Sequence, residues 1–236
     1  MDPLNINLGS ISVFSQYAVS AARKYVDLVE AQITQAHADM SSSALEEYKR
    51  RANLDETDYD NYVTIVDRMF EEDYLPILRF TEVIYVYMVF ETYASGHIAE
   101  IQNLRRDKLD ILKTLKSKNK CGLVDAARIY FKDVLHWSLL NDGEWVILRE
   151  IAEVRNCIVH NAGIVRDSKH RDMIYNLAKR TWRKQSVGIE IDHFQGKDIG
   201  QPIIIHQRFL AFCLDLLERF FNALIKETHD EFWKKK

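Results

Sequence analysis

The chain has 236 residues, 47% hydrophobic and 28% charged, with 8 Gly, 3 Pro and 3 Cys. That composition supplies ample apolar surface for a core and excludes collagen-like, low-complexity and disordered classes. A formal net charge of −3 argues against wholesale wrapping of nucleic acid and leaves room for a local basic site.

Cys121, Cys157 and Cys213 are odd in number and too widely spaced for a zinc site or a redox pair. A disulfide scaffold is therefore excluded, and a reducing cytoplasm is the expected setting. The opening residues MDPLNINLGSISVF lack the basic and apolar regions of a secretory leader. The most apolar window, Ile84 to Phe90, is bracketed by Arg79, Glu82 and Glu91, well short of the ~20 residues that span a bilayer. No membrane partner, metal or cofactor is expected.

Scarce Gly and Pro favour long helices over many short strands. Residues 11 to 39 read as one helix with Phe14, Tyr17, Ala21, Tyr25, Leu28 and Ile33 on its apolar face. The serines at 41 to 43 read as a cap for a short charged helix over 44 to 52, and Thr57 or Asp58 as the cap of another running to about Glu72. Leu54 to Asp73 holds eight acids and one Arg, net −7, the pattern of an acidic surface or linker.

Asp73 then reads as an N-cap, with Pro76 in the first turn of a long helix. Phe80, Ile84, Tyr87, Glu91, Ala94, Ile98 and Ile101 follow a four-three spacing that puts all seven on one seam. Glu91 is a carboxylate in mid-seam. Either it has a buried partner or the helix turns it toward water.

Residues 103 to 120 carry seven Lys or Arg against two Asp, a local +5. A helix is expected from Gly122 to Leu135, and Asn141-Asp142-Gly143 launches another from Glu144 to about Asn161, with Gly163 as its terminating glycine. Arg166 to Lys184 is a second +5 stretch, with Tyr175 and Trp182 among its seven cations. Cations interleaved with aromatics can track a backbone and stack bases. Val187, Ile189 and Ile191 alternate, and Ile203 to Ile205 follow a polar connection at 194 to 202, which predicts a β-hairpin. Residues 206 to 232 return to helix, with Phe209, Phe212, Leu216, Phe220 and Leu224 on one side.

The passage Glu150 to Gly163, EIAEVRNCIVHNAG, holds the densest chemistry. Ile147, Ile151, Val154 and Ile158 form one helix face, and Arg155, Asn156 and His160 lie beside it near the helix end, Asn156 and His160 four apart on one stripe. An Arg fork pairs with phosphate oxygens, a His moves protons near neutral pH, and an Asn can orient either. Any phosphodiester chemistry here would be metal-independent, with a ribose 2′-hydroxyl as nucleophile, which requires RNA. Cys157 reads as packing, and the remaining histidines, His97 among them, as ordinary surface or core residues.

R-N-x-x-x-H in a late helix of an all-α chain resembles the Rx4-6H signature of the HEPN superfamily, and Asn161 to Gly163 fits its usual continuation. The long aromatic helix upstream and the hairpin followed by a last helix are also similar to HEPN members. The resemblance covers about residues 74 to 236, leaving 1 to 73 as an N-terminal helical extension. It implies a mainly all-α, HEPN-like helical bundle with a small β-hairpin before the last helix. It further implies an endoribonuclease working as a homodimer, in which two motif helices meet and each site takes Arg and His from both chains. Carried over, Arg155 would stabilise charge on the pentacoordinate phosphate, His160 would be general acid or base, and Asn156 would position them, with Glu91 holding the Arg or setting the His tautomer. Lys169, Arg171, Lys179, Arg180, Arg183 and Lys184 are the expected RNA contacts. A toxin or antiphage effector of this kind implies a restraining antitoxin or an activating partner. The rival readings are a non-catalytic HEPN-like module that binds RNA, nucleotide or protein, and a plain helical interaction protein whose Arg155 and His160 cap carbonyls.

Overall fold

The structure, a computed structural model, describes residues 3–50, 56–106, 111–119, 121–165, 171–192 and 200–232. The protein is mainly α-helical. Helices α1 (Pro3–Arg50), α2 (Glu56–Met69), α3 (Leu75–Arg105), α4 (Ile111–Asn119), α5 (Leu123–Arg128) and α6 (Asp142–Asn161) come first. Strand β1 (Ile164–Val165), helix α7 (Arg171–Ala178), strands β2 (Thr181–Trp182), β3 (Gln185–Ser186), β4 (Ile189–Ile191) and β5 (Gln201–Ile205), and helix α8 (Gln207–Phe232) follow. Among the described residues no helix is long and apolar enough to cross a membrane.

α1 departs from the sequence expectation twice. It runs unbroken through the serines at 41 to 43 and absorbs the separate helix expected after them, since Ser costs a helix only a few tenths of a kcal/mol and Ala44 is buried just beyond. Its buried face is also not the aromatic one: Phe14, Tyr17 and Leu28 are exposed, while Ala18, Val19, Ala22, Val26 and Ile33 are buried. Small side chains let α1 lie close against α3 and α8, and that close approach decides the face. Arg23 reaches Asp215 and Glu218 of α8, each at 3.0 Å.

α2 already includes Thr57 and Asp58, the two expected caps, and continues without a break into α3 through a π turn, Phe70–Tyr74. Asp73 therefore caps nothing. The physical reason is Pro76, which has no N–H and whose ring would strike the carbonyl four residues back. Widening the turn over residues 70–74 accommodates it inside a continuous helix. A second π turn, Ile129–Val134, completes α5 where a single helix is expected.

α3 is the central element, packed by α1, α6 and α8. Of its expected seam Tyr87, Ala94, Ile98 and Ile101 are buried and Phe80, Ile84 and Glu91 half-buried, and burial extends to Val83, Val86 and Phe90 because neighbours cover more than one face. The α8 stripe is buried at every expected position. Phe220 centres an aromatic cluster, with Phe90, Phe131, Trp145 and Phe221 rings 5.1–6.1 Å away.

Two buried polar groups are built into the α1–α3 contact. Arg79 makes paired bonds to Glu30 at 3.1 and 3.2 Å and donates to the Ile205 carbonyl at 3.0 Å. Beside that pair Glu82 is fully buried, and neither of its carboxylate oxygens has a hydrogen-bond partner. Burial, reinforced by Glu30 and opposed by Arg79, pushes its carboxyl up to about 8. His97 bonds Ser15 Oγ at 3.2 Å in the core, and burial lowers its pKa to about 4, so the ring is neutral.

The expected hairpin forms from β4 and β5, antiparallel, with Ile189 opposite Ile205 and Ile191 opposite Ile203. β5 takes in Gln201 and Pro202, and residues 193–199 of the connection lie outside the described residues. β1 pairs with the other edge of β5, Ile164 opposite Pro202, so the hairpin is part of a three-stranded sheet. A second hairpin, β2–β3, was not signalled by the alternation of apolar residues.

Candidate functional site

The site is built on α6. Asn141 caps its start by accepting from the Glu144 N–H at 2.9 Å, while the Glu144 side chain accepts from the Asn141 N–H at 3.0 Å, a reciprocal box that fixes where the helix begins. Trp145, Leu148, Ile151, Val154 and Ile158 are buried along its inner face. That burial fixes the rotation of the helix and so the direction of Arg155, Asn156 and His160.

The far end is fixed as tightly. Ala162 and Gly163 take left-handed angles, φ 51° and 76°, and the Gly163 N–H bonds the Cys157 carbonyl at 3.1 Å. A Cβ on Gly163 would lie 2.3 Å from Cζ of Phe80 on α3, so only glycine fits. The Gly163 carbonyl accepts from the Ile203 N–H at 2.9 Å, which clamps the end of α6 between α3 and β5.

Between these anchors, Arg155 projects toward α3. Its Nη2 lies 3.6 Å from Glu91 Oε2, and its Nη1 donates to Asn156 Oδ1 at 3.1 Å. Its guanidinium carbon sits 5.8 Å from the ring centroid of Tyr87, one helical turn before Glu91. The mid-seam carboxylate thus has Arg155 as its partner, and both side chains stay part-exposed, at 28% and 35%. Burial and the Glu91 charge raise the Tyr87 phenol, which stays protonated as an uncharged floor under the arginine. Sequence reasoning placed Tyr87 on the seam and missed this contact; the available signal was its position four residues before Glu91.

His160 is exposed and makes no hydrogen bond or ion pair among the described residues. It lies about 7.5 Å along the helix axis from Arg155. Cys157 is buried and its thiol is pushed up to about 11, which suits packing and not nucleophilic attack. Among the described residues no three His, Cys, Asp or Glu side chains are grouped to hold a metal ion.

The basic residues of 166 to 184 do not act alike. Lys169 lies outside the described residues. Arg180 is tied to the buried Glu150 of α6 by bonds of 2.6 and 2.8 Å, an arrangement that raises its pKa and occupies it structurally. Arg171 stacks on Tyr175 at 5.3 Å. Arg183 stacks on Trp182 and pairs with Asp215, whereas Lys179 and Lys184 are exposed. The chain matches no family model, no curated protein and no solved structure.

Proposed function

We propose that the protein is a metal-independent endoribonuclease of the HEPN type. The observation that carries this reading is an arginine steadied by Glu91, Asn156 and Tyr87 on the same short stretch of helix as an unengaged, exposed histidine. Positioned cationic donors and a titrating imidazole are what in-line attack at phosphorus requires. The 2′-oxygen attacks, its proton passing to a base; the 5′-oxygen leaves, taking a proton from an acid. The products are a 2′,3′-cyclic phosphate and a 5′-hydroxyl.

One His per chain serves one of the two proton-transfer roles, so the reading includes a homodimer with a composite site. Val159, adjacent to His160, and Met88, one turn before Glu91, are 46% and 50% exposed, apolar surface suited to such a contact. A single-stranded or looped RNA is the proposed substrate, because an unstacked backbone reaches the in-line geometry. A role as toxin or antiphage effector, held in check by a partner, belongs to the same proposal.

The rival, a non-catalytic RNA- or protein-binding module, draws on the same ion pair, since Glu91 already occupies the arginine. Incubation of wild type, Arg155→Ala and His160→Ala with total RNA in EDTA separates the two. The ribonuclease reading expects cleavage by wild type alone; intact RNA in all three would sink it.

A further inference from the structure

The β2–β3 hairpin carries a turn that its local stability does not explain. Trp182 pairs with Gln185, so the connection is the two residues Arg183 and Lys184, both at positive φ, 50° and 64°. Two-residue turns of this form are ordinarily Asn-Gly or similar, since those residues enter the left-handed region at least cost. Here two long basic side chains occupy both strained positions. Strain of this kind clusters at functional sites.

The hairpin is anchored on two sides. At its base the Val187 N–H bonds the Arg180 carbonyl at 3.2 Å, and the Arg180 side chain is anchored on Glu150 of α6, the helix that bears Arg155 and His160. Trp182 packs edge-on against Phe212 of α8, centroids 5.8 Å apart. The Arg183 guanidinium lies over the Trp182 ring at 4.2 Å, which stacks a planar cation on an indole at the tip.

Arg183 also pairs with Asp215 at 2.6 Å, but Asp215 is shared with Arg23 at 3.0 Å. A phosphate that draws Arg183 away therefore leaves Asp215 still compensated. Lys179 and Lys184 are exposed and have no ion pair among the described residues. An anchored hairpin with an indole–guanidinium stack, and three cations on and beside it, fits a flexible polyanion with exposed bases.

We propose that the tip Trp182-Arg183-Lys184, with Lys179, is a contact for single-stranded RNA that serves the α6 site. This deepens the ribonuclease reading and rests on it for the identity of the polyanion. The test uses the full chain and a fluorescein-labelled, 2′-O-methylated single-stranded oligoribonucleotide, which binds but has no free 2′-hydroxyl to attack. Wild type is compared with Lys184→Gly and with Arg183→Asn/Lys184→Gly, which restores an unstrained turn.

The double variant is expected to melt no lower than about 2 °C below wild type. It is expected to bind at least about 10-fold more weakly, with the slope of log affinity against log salt reduced by about 1.4, the loss of two phosphate contacts to a single strand. Lys184→Gly is expected to fall between. Unchanged affinity and slope in the folded double variant, or equal binding of a double-stranded oligoribonucleotide, would overturn the proposal. Cleavage of unmodified RNA measured in parallel separates the two levels. Hairpin-dependent binding without any cleavage contradicts the ribonuclease and keeps the contact. Cleavage with the same KM in wild type and double variant contradicts the contact and keeps the ribonuclease. Neither binding nor cleavage contradicts both.

Discussion

Arg155 of α6 and Glu91 of α3 form an ion pair, Nη2 to Oε2 at 3.6 Å, that joins the two helices at the candidate site. With both side chains part-exposed, the pair contributes less than about 1 kcal/mol to stability. Glu91→Gln should leave the urea midpoint almost unchanged. Its effect should appear in RNA cleavage, as a roughly 10-fold lower rate with little change in KM, because the arginine loses its aim before it loses its charge. A large stability loss with an unaltered rate would assign Glu91 to folding alone.

Gly163 and Phe80 make a second prediction. Gly163→Ala adds a methyl group 2.3 Å from the Phe80 ring at a φ of 76°, so both crowding and backbone strain oppose it. The melting temperature should fall by about 4–8 °C. Combining it with Phe80→Ala relieves the crowding and leaves the strain, so the double variant should lose less than the sum of the two single changes, read by thermal melts.

Glu150 is buried at 3% exposure, and its partner Arg180, an expected RNA contact, is taken up by that pair. Arg180→Ala strands the charge and should cost about 3 kcal/mol in a urea titration. Arg180→Met with Glu150→Gln, which removes both charges, should recover at least half of it. No recovery would show that the pair acts through something other than charge compensation.

Glu82 predicts a pH dependence of stability. Its carboxyl is held up to about 8 in the folded protein against an ordinary 4.5. The folded state therefore binds a proton that the unfolded chain releases between those values. The stabilisation is full below about pH 4.5 and is lost as pH rises through about 8. Glu82→Gln, which mimics the protonated form, should match wild type near pH 4.5 and melt roughly 10 °C higher at pH 9. Parallel melting curves across that range would contradict the assignment.

The legibility of these features in the sequence follows from how local their causes are. The start of α6, the glycine at its end, the β4–β5 hairpin and the buried stripe of α8 each rest on a short pattern whose meaning does not depend on distant residues. The need for a partner at Glu91 was legible because a charge sits in an apolar seam, while the choice of Arg155 depends on how α6 packs on α3. The buried face of α1 was not, since Ala18 and Ala22 carry a weak hydrophobic signal and matter only once α3 and α8 lie against them. Pro76 suggested a fresh helix start and instead follows a π turn inside a continuous helix, because widening that turn accommodates its ring. Glu150 and Arg180 are thirty residues apart, and nothing in either neighbourhood announces the bond.

The most direct measurement of the central claim is the chemistry of the ends produced from a defined single-stranded oligoribonucleotide in EDTA, read by mass spectrometry. Attack by the ribose 2′-hydroxyl, with Arg155 and His160 acting, predicts a 2′,3′-cyclic phosphate on the upstream fragment and a 5′-hydroxyl on the downstream one, with neither formed by His160→Ala. A 3′-hydroxyl and 5′-phosphate, or the same cyclic product from His160→Ala, would contradict it.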